Sequence, residues 1–130
     1  MMSTRIPIRT ELAPAAIGPY SQGIEVEGRR LVFVSGQVPV DPATQKLVDG
    51  GVTAQAEQVM KNIGAVLEAA GMGYADVVKA TIFLTDLGEF KTVNEIYGRF
   101  FEADPPARAT VQVSALPLGA AVEIECVAVG

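Results

Sequence analysis

The sequence contains no histidine and a single cysteine, Cys126. Histidine is the commonest general base and metal ligand in proteins, so its absence removes the usual catalytic triads from this chain. With one cysteine and no histidine, structural zinc and an intrachain disulfide are excluded as well. Cys126 stands in an apolar segment, which predicts a small buried hydrophobe rather than a reactive thiol. Any chemistry must therefore use carboxylates, hydroxyls, amides, basic side chains, backbone groups and water.

Basic residues are also few, with 10 lysines and arginines against 15 acidic residues and a net charge of −5. Broad binding to nucleic acid needs clustered basic residues, and here the lysines are dispersed. No apolar run approaches the roughly 20 residues of a membrane helix, and the first ten residues lack the apolar stretch of a secretory signal. We predict one domain over residues 1–130, located in the cytoplasm, with neither nucleic acid nor a membrane as a partner.

Hydrophobic periodicity predicts two helices among five strands. Apolar residues at three- and four-residue spacing predict a helix over residues 53–70, which ends before Gly71. Asp86 is expected to cap a second helix that runs to about Phe101, with Glu89 completing a capping box. Alternating patterns predict strands over residues 24–27, 31–35, 77–85, 108–114 and 121–129.

The order of these elements favours an α+β domain of two layers, a mixed sheet with two helices on one face. Each helix has one apolar stripe, so both are expected to cover the same face of the sheet. The residues predicted for the opposite face are Thr81, Phe83, Thr110, Val127 and Val129. Because that mixture is too apolar to stay in contact with water, we expect it to pack against other subunits of a homo-oligomer.

Arg108 stands in a segment that alternates polar and apolar residues like a half-buried strand. Arg108, Thr110 and Gln112 fall on one face of it. A guanidinium is a planar, permanently charged fork that suits a carboxylate or a phosphate. The alternative is an arginine whose stem covers apolar surface while its head is solvated or ion-paired.

Polar residues also occur where the apolar pattern does not favour them. Asn94 belongs on or beside the apolar stripe of the second helix, where its amide needs a partner, either a loop or the lining of a pocket. Glu123 and Glu125 share one face of the last strand, and one of them is either a solvated edge residue or a pocket base. If the last two strands form a hairpin, that face continues the one that carries Arg108.

Two further segments are candidates for a cleft. Tyr20 lies in a loop that glycine and proline hold in a defined conformation, and it is either a packing anchor or a hydrogen-bond donor. Ser35 and Gly36 end a predicted strand, where a hydroxyl and a backbone N–H can point into a cleft.

Together these segments resemble the Rid family, the reactive intermediate imine deaminases. The resemblance covers nearly the whole chain in order, and its specific parts are the first segment and the arginine segment. The matching segments are residues 13–23 (APAAIGPYSQG), 34–39 (VSGQVP), 67–71 (LEAAG), 86–94 (DLGEFKTVN), 106–108 (PAR) and 122–125 (VEIE).

The resemblance implies a chorismate-mutase-like fold and a homotrimer with clefts at the subunit interfaces. It implies hydrolysis of 2-imino acids or their enamine tautomers, such as 2-iminobutanoate, 2-iminopropanoate or 2-aminoacrylate, to 2-keto acids and ammonia, with no metal or cofactor. Carried over by motif, Arg108 would hold the substrate carboxylate, and Glu123 would position or activate water. The residues expected to bind or line the substrate are Tyr20, Ser35, Gly36, Asn94 and Thr110.

Thr110 departs from the family pattern, because many members with this arginine have a cysteine two residues after it. A threonine keeps a small polar group but no thiol, which leaves the substrate preference open. Two other functions stay open beside the hydrolase. One is a non-catalytic sensor of small carboxylates that uses the same cleft, and the other is RNA cleavage, which the acidic balance and the lack of histidine disfavour.

Overall fold

The structure is a computed structural model that describes residues 4–130. Over that range the chain forms eight strands and two α-helices, with short 3-10 turns between some of them. The strands are β1 (Thr4–Ile8), β2 (Gly23–Glu27), β3 (Leu31–Gln37), β4 (Val40–Asp41), β5 (Lys46–Leu47), β6 (Val77–Leu84), β7 (Ala107–Gln112) and β8 (Val122–Val129). The helices are α1 (Gly51–Ala69) and α2 (Phe90–Gly98).

The main sheet has four strands in the order β3-β8-β6-β7. Strands β6 and β7 run parallel, with α2 in the connection between them, whereas β8 is antiparallel to both β3 and β6. Strands β1 and β2 form a separate antiparallel pair, and so do β4 and β5. The α+β architecture with two helices and a mixed sheet is confirmed.

Two strand pairings differ from the simplest reading of the sequence. Strand β2 pairs with β1 rather than with β3 across the turn at residues 28–29. The hairpin considered for the last two strands is wrong, because β6 lies between β7 and β8. The helical crossover that precedes β7 brings it back parallel to β6, and a parallel neighbour needs such a connection.

Helix α1 forms because its apolar residues repeat on one side. Ala56, Val59, Met60, Ile63 and Leu67 are buried, and Gly71 follows the helix with a φ of 74°, a conformation that favours glycine. The Asp86 carboxylate accepts a hydrogen bond of 2.8 Å from the N–H of Gly88, but it caps a 3-10 turn rather than α2 itself. Helix α2 begins at Phe90 and ends at Gly98, three residues before the predicted end. The reciprocal bond predicted for Glu89 is absent among the described residues, since a 3-10 turn occupies 87–89 before α2 begins.

The two faces of the main sheet differ in exposure. The helix-covered face is apolar and buried, and its members from β3, β6 and β8 include Val34, Ala80, Ile82, Leu84, Val122, Ile124, Cys126 and Ala128. On the opposite face, Phe33 is 72% exposed and Val111 is 41% exposed. This open face is the one for which we predicted subunit contacts.

Thr110 is not on the open face, so that part of the prediction is wrong. It pairs with the buried Ile82 of β6 and therefore points to the helix-covered side, while Ala109 and Val111 face the open side. The alternation within β7 was predicted correctly, but its assignment to a sheet face depends on the parallel register with β6. Within residues 4–130, no helix is long and apolar enough to span a bilayer.

Candidate active site

Arg108 lies near the start of β7 and points towards α2. Its Nη1 donates a hydrogen bond of 2.5 Å to Oδ1 of Asn94, so the amide predicted beside the apolar stripe of α2 has a partner. Three aromatic rings surround the guanidinium, with their centroids 5.2 Å (Tyr20), 5.6 Å (Phe90) and 5.3 Å (Tyr97) from its Cζ. These are cation–π distances.

The charge of Arg108 has no carboxylate counterpart within residues 4–130. The ion pairs of that range are Arg9 with Asp104 and Arg99 with Glu95, and neither involves Arg108. Burial lowers the pKa of Arg108 from its usual value, with Tyr97 and Tyr20 acting in the opposite direction. An arginine remains protonated at neutral pH in such a setting, so this corner of the molecule presents a positive charge that an anion can neutralise.

Ser21 holds the loop of Tyr20 against the start of β7. Its hydroxyl donates to the carbonyl of Pro105, and its N–H donates to the carbonyl of Pro106 at 3.2 Å. Ser21 is 9% exposed and forms a parallel bridge with Ala107. The sequence analysis missed Ser21, because its partners lie 84 residues or more along the chain and no local pattern links them.

Thr110 follows Arg108 on the same face of β7. The next residue on that face, Gln112, accepts a hydrogen bond of 2.9 Å from the N–H of Leu87. Between these two partnered residues, the hydroxyl of Thr110 is buried and has no hydrogen-bond partner among residues 4–130. A buried hydroxyl without a partner costs on the order of 1–3 kcal/mol, so it is a candidate ligand contact.

Glu123 and Gly36 form a second group, and the exposed Ser35 precedes Gly36 in β3. Strand β3 carries a bulge between Val34 and Gln37, where two of its residues oppose one residue of β8. The carboxylate of Glu123 lies directly against Gly36, so that a Cβ at position 36 would stand only 2.9 Å from the Glu123 carboxyl carbon. The bulge and the glycine together make room for the carboxylate.

The two groups lie on different faces of the sheet. Glu123 pairs with Phe83 on the open face, whereas Arg108 pairs with Ala80 on the helix-covered face. The prediction that the faces of Glu123 and Arg108 coincide is therefore wrong, because it depended on the hairpin. A single chain brings Arg108 together with Tyr20 and Asn94, and it brings Glu123 together with Gly36, but it does not join the two groups.

Comparison with known proteins agrees with this architecture. Residues 10–130 match the family model described as Endoribonuclease L-PSP. The chain is 58% identical over 125 residues to Protein DfrA of Myxococcus xanthus, which covers 96% of this chain and 95% of that protein. It is 52% identical over 122 residues to the 2-iminobutanoate/2-iminopropanoate deaminase of Mus musculus, which covers 94% of this chain and 89% of that protein. The solved structure of E. coli TdcF with bound serine has a TM-score of 0.74 at 43% identity and covers 96% of this chain and 98% of that chain.

The fold and the site define an α+β domain with a partly buried arginine on the edge strand of a mixed sheet. By its sequence the chain belongs to the Rid family, as the resemblance of its segments indicated.

Proposed function

We propose that this protein hydrolyses small 2-imino acids, or their enamine tautomers, to 2-keto acids and ammonia. The observation that carries the proposal is Arg108, an arginine that is held in place on several sides while its charge has no carboxylate partner among residues 4–130. Relatives named 2-iminobutanoate/2-iminopropanoate deaminase at 50–52% identity support the reaction class. The bound serine named for TdcF supports an amino-acid-like ligand, which carries a carboxylate.

In the proposed reaction Arg108 pairs with the substrate carboxylate and fixes the position of the adjacent C=N carbon. That carbon is electrophilic when the imine is protonated, so oriented water is sufficient as the nucleophile. Glu123 accepts a proton from this water as the water oxygen bonds to the carbon. Glu123 then returns this proton to the amino nitrogen of the carbinolamine, and the C–N bond breaks to release ammonia. The hydroxyl gives up its proton to the ammonia as its oxygen becomes the carbonyl of the keto acid, so Glu123 ends the cycle as a carboxylate.

The remaining candidate residues are divided between the Arg108 group and the Glu123 group. Tyr20, Asn94 and the hydroxyl of Thr110 are next to Arg108 or on its strand face, and they would line the binding half of the cleft. Ser35 and the backbone of Gly36 would belong to the half that carries Glu123. No metal or cofactor takes part in this scheme.

In the proposal, the Arg108 group of one copy and the Glu123 group of another copy form one cleft, so two copies of the chain must associate. A homotrimer with a chorismate-mutase-like arrangement would do so at each of three interfaces, with Arg108 from one copy and Glu123 from its neighbour. The exposed apolar residues of the open sheet face, Phe33 and Val111, support burial against other subunits.

A coupled assay tests the reaction. A threonine dehydratase generates 2-iminobutanoate, semicarbazide traps the imine that remains, and the semicarbazone is followed by its absorbance. We expect the wild-type protein to suppress semicarbazone formation, and both Arg108→Ala and Glu123→Gln to lose at least about 100-fold of that effect. Wild-type protein without effect on the semicarbazone would overturn the proposal.

Ligand binding by the same variants separates the hydrolase from a carboxylate sensor. For a hydrolase, Glu123→Gln should still bind 2-oxobutanoate while its turnover is lost, and Arg108→Ala should lose both. Binding of 2-oxobutanoate by a wild-type protein that does not turn over the imine would favour the sensor. Binding of single-stranded RNA at low salt, followed by its cleavage, would instead favour an endoribonuclease activity, which the description of the matching family model names.

A further inference from the structure

The rings around Arg108 come from two parts of the fold. Phe90 and Tyr97 are seven residues apart, so two turns of α2 place them on the same side of the helix as Asn94. Tyr20 comes from the loop that Ser21 anchors at β7. These three aromatic residues, which we call the aromatic cage, surround a guanidinium whose one described side-chain hydrogen bond goes to Asn94.

An aromatic cage holds a cation in a different way from a carboxylate. The ring faces carry partial negative charge and attract the guanidinium, but they bear no net charge. A carboxylate at the same distance would neutralise the arginine and compete with an anionic ligand. Rings therefore fix the orientation of Arg108 and leave its full charge available.

We propose that Phe90 and Tyr97 are positioning residues that set the preference of this site for anionic over neutral ligands. This proposal rests on the proposed function, since it assigns the carboxylate of the ligand to Arg108. It adds two residues of α2 to the site, and neither of them needs to touch the ligand.

The environment of Tyr97 indicates that its ring, rather than its hydroxyl, has this role. Tyr97 is 1% exposed, and its hydroxyl has no hydrogen-bond partner among residues 4–130. Burial also raises the pKa of Tyr97, so the ring faces Arg108 as a neutral phenol. Tyr97→Phe, which keeps the ring, should therefore preserve anion selectivity.

Phe90 offers the cleaner test because 36% of the residue is exposed and its replacement leaves the core of the sheet intact. We would measure the affinity of the intact oligomer for 2-oxobutanoate and for the neutral 2-oxobutanamide by calorimetry. The ratio of the two affinities is the anion selectivity. Phe90→Leu should lower this ratio about two- to fivefold, as expected for the loss of one cation–π contact. Phe90→Tyr, which keeps an aromatic ring, should retain the wild-type ratio.

Phe100→Leu is the matched control, since Phe100 packs on Tyr74 and is absent from the cage. It should leave the selectivity ratio unchanged even if it lowers the melting temperature. Equal selectivity in wild type and Phe90→Leu would overturn the proposal, and so would a wild type without selectivity. A protein that is anion-selective through the cage but inactive on the imine would contradict only the proposed hydrolysis, so the two failures are distinguishable.

Discussion

The Arg108 group and the Glu123 group are built in contrasting ways. Arg108 is held by an amide and three rings that come from a loop and a helix, and Ser21 ties that loop to β7. Glu123 has no side-chain hydrogen bond among residues 4–130, and its distinctive contact is the backbone of Gly36 at a bulge. One chain therefore completes the anion-binding half of the candidate site and leaves the other half open.

This difference matches the tasks proposed for the two groups. A group that orients a ligand benefits from being fixed before the ligand arrives, because less ordering is then needed on binding. A carboxylate that accepts a proton from water needs access to that water and to the reacting carbon. In the proposed assembly, another subunit and the substrate would complete the surroundings of Glu123.

Mixing two inactive variants gives the strongest test of this division, with the largest expected effect. Arg108→Ala and Glu123→Gln are unfolded, mixed in equal amounts and refolded together. If each cleft takes its arginine from one copy and its glutamate from another, about a quarter of the clefts contain both intact residues. Activity should rise from background to about a quarter of the wild-type level in the semicarbazide assay.

Each variant refolded alone is the control for this experiment and should stay at background. A mixture that also remains at background, despite chromatographic evidence of mixed oligomers, would mean that both groups of one cleft come from the same copy.

Two glycines allow each half to be disturbed separately. Gly36→Ala places a methyl group against the Glu123 carboxylate and should lower kcat about 100-fold, because displacement of a reacting group by about 1 Å has such effects. Its affinity for 2-oxobutanoate should change less than about threefold. Kinetics over a range of imine supply, together with calorimetry, give both quantities.

Gly18→Ala is the counterpart on the other half. Its Cβ would lie 3.3 Å from Nδ2 of Asn94 and 3.8 Å from Nη2 of Arg108. We expect a loss of a few-fold in 2-oxobutanoate affinity with little change in kcat, since the neighbours need shift by only a few tenths of an ångström. Equal changes in kcat and in 2-oxobutanoate affinity for the two glycine variants would show that the Arg108 group and the Glu123 group are not functionally separate.

The smallest expected effect concerns Thr110, whose buried hydroxyl has no partner in the described chain. Thr110→Val keeps the shape and removes the hydroxyl, so the free energy of unfolding in urea should stay the same or rise by about 1 kcal/mol. The KM for the imine should rise a few-fold if the hydroxyl binds the substrate. Thr53→Val, at an exposed position of α1, is the control.

A loss of stability in Thr110→Val without a change in KM would assign the hydroxyl a structural partner instead. Thr110→Cys sharpens the result, because it introduces the thiol expected at this position from the family pattern.

The parts of the fold that the sequence predicted are those with local causes. The stripe of α1, the cap at Asp86 and the alternation within β7 all arise from residues a few positions apart. The pairing of β7 with β6, which decides that Arg108 and Thr110 face the helices, follows from a crossover and could not be read from either strand. The same holds for Ser21, whose partners at Pro105 and Pro106 have no signature in its own neighbourhood.

For the candidate site, Arg108 was singled out as a charged residue within a strand pattern, and Asn94 as an amide beside an apolar helix stripe. The structure brings the two together. The contributions of Phe90 and Tyr97 were hidden, because an aromatic residue on an apolar helix stripe is normally a core residue. Arg108 and Thr110 were assigned to the face of Glu123 because the expected hairpin gave the last strand an incorrect neighbour, and the structure places them on the helix-covered face instead.

The burial of Cys126 means that the rate of thiol labelling can report how often the domain opens. The thiol is 5% exposed beneath the helices, and burial raises its pKa to about 11, so at neutral pH it is protonated and shielded from reagents in solution. Because the sequence has no other cysteine, labelling by a thiol-reactive dye reports only openings of the structure that expose Cys126. The labelling rate, compared with and without ligand, then measures how strongly an occupied cleft keeps the domain closed.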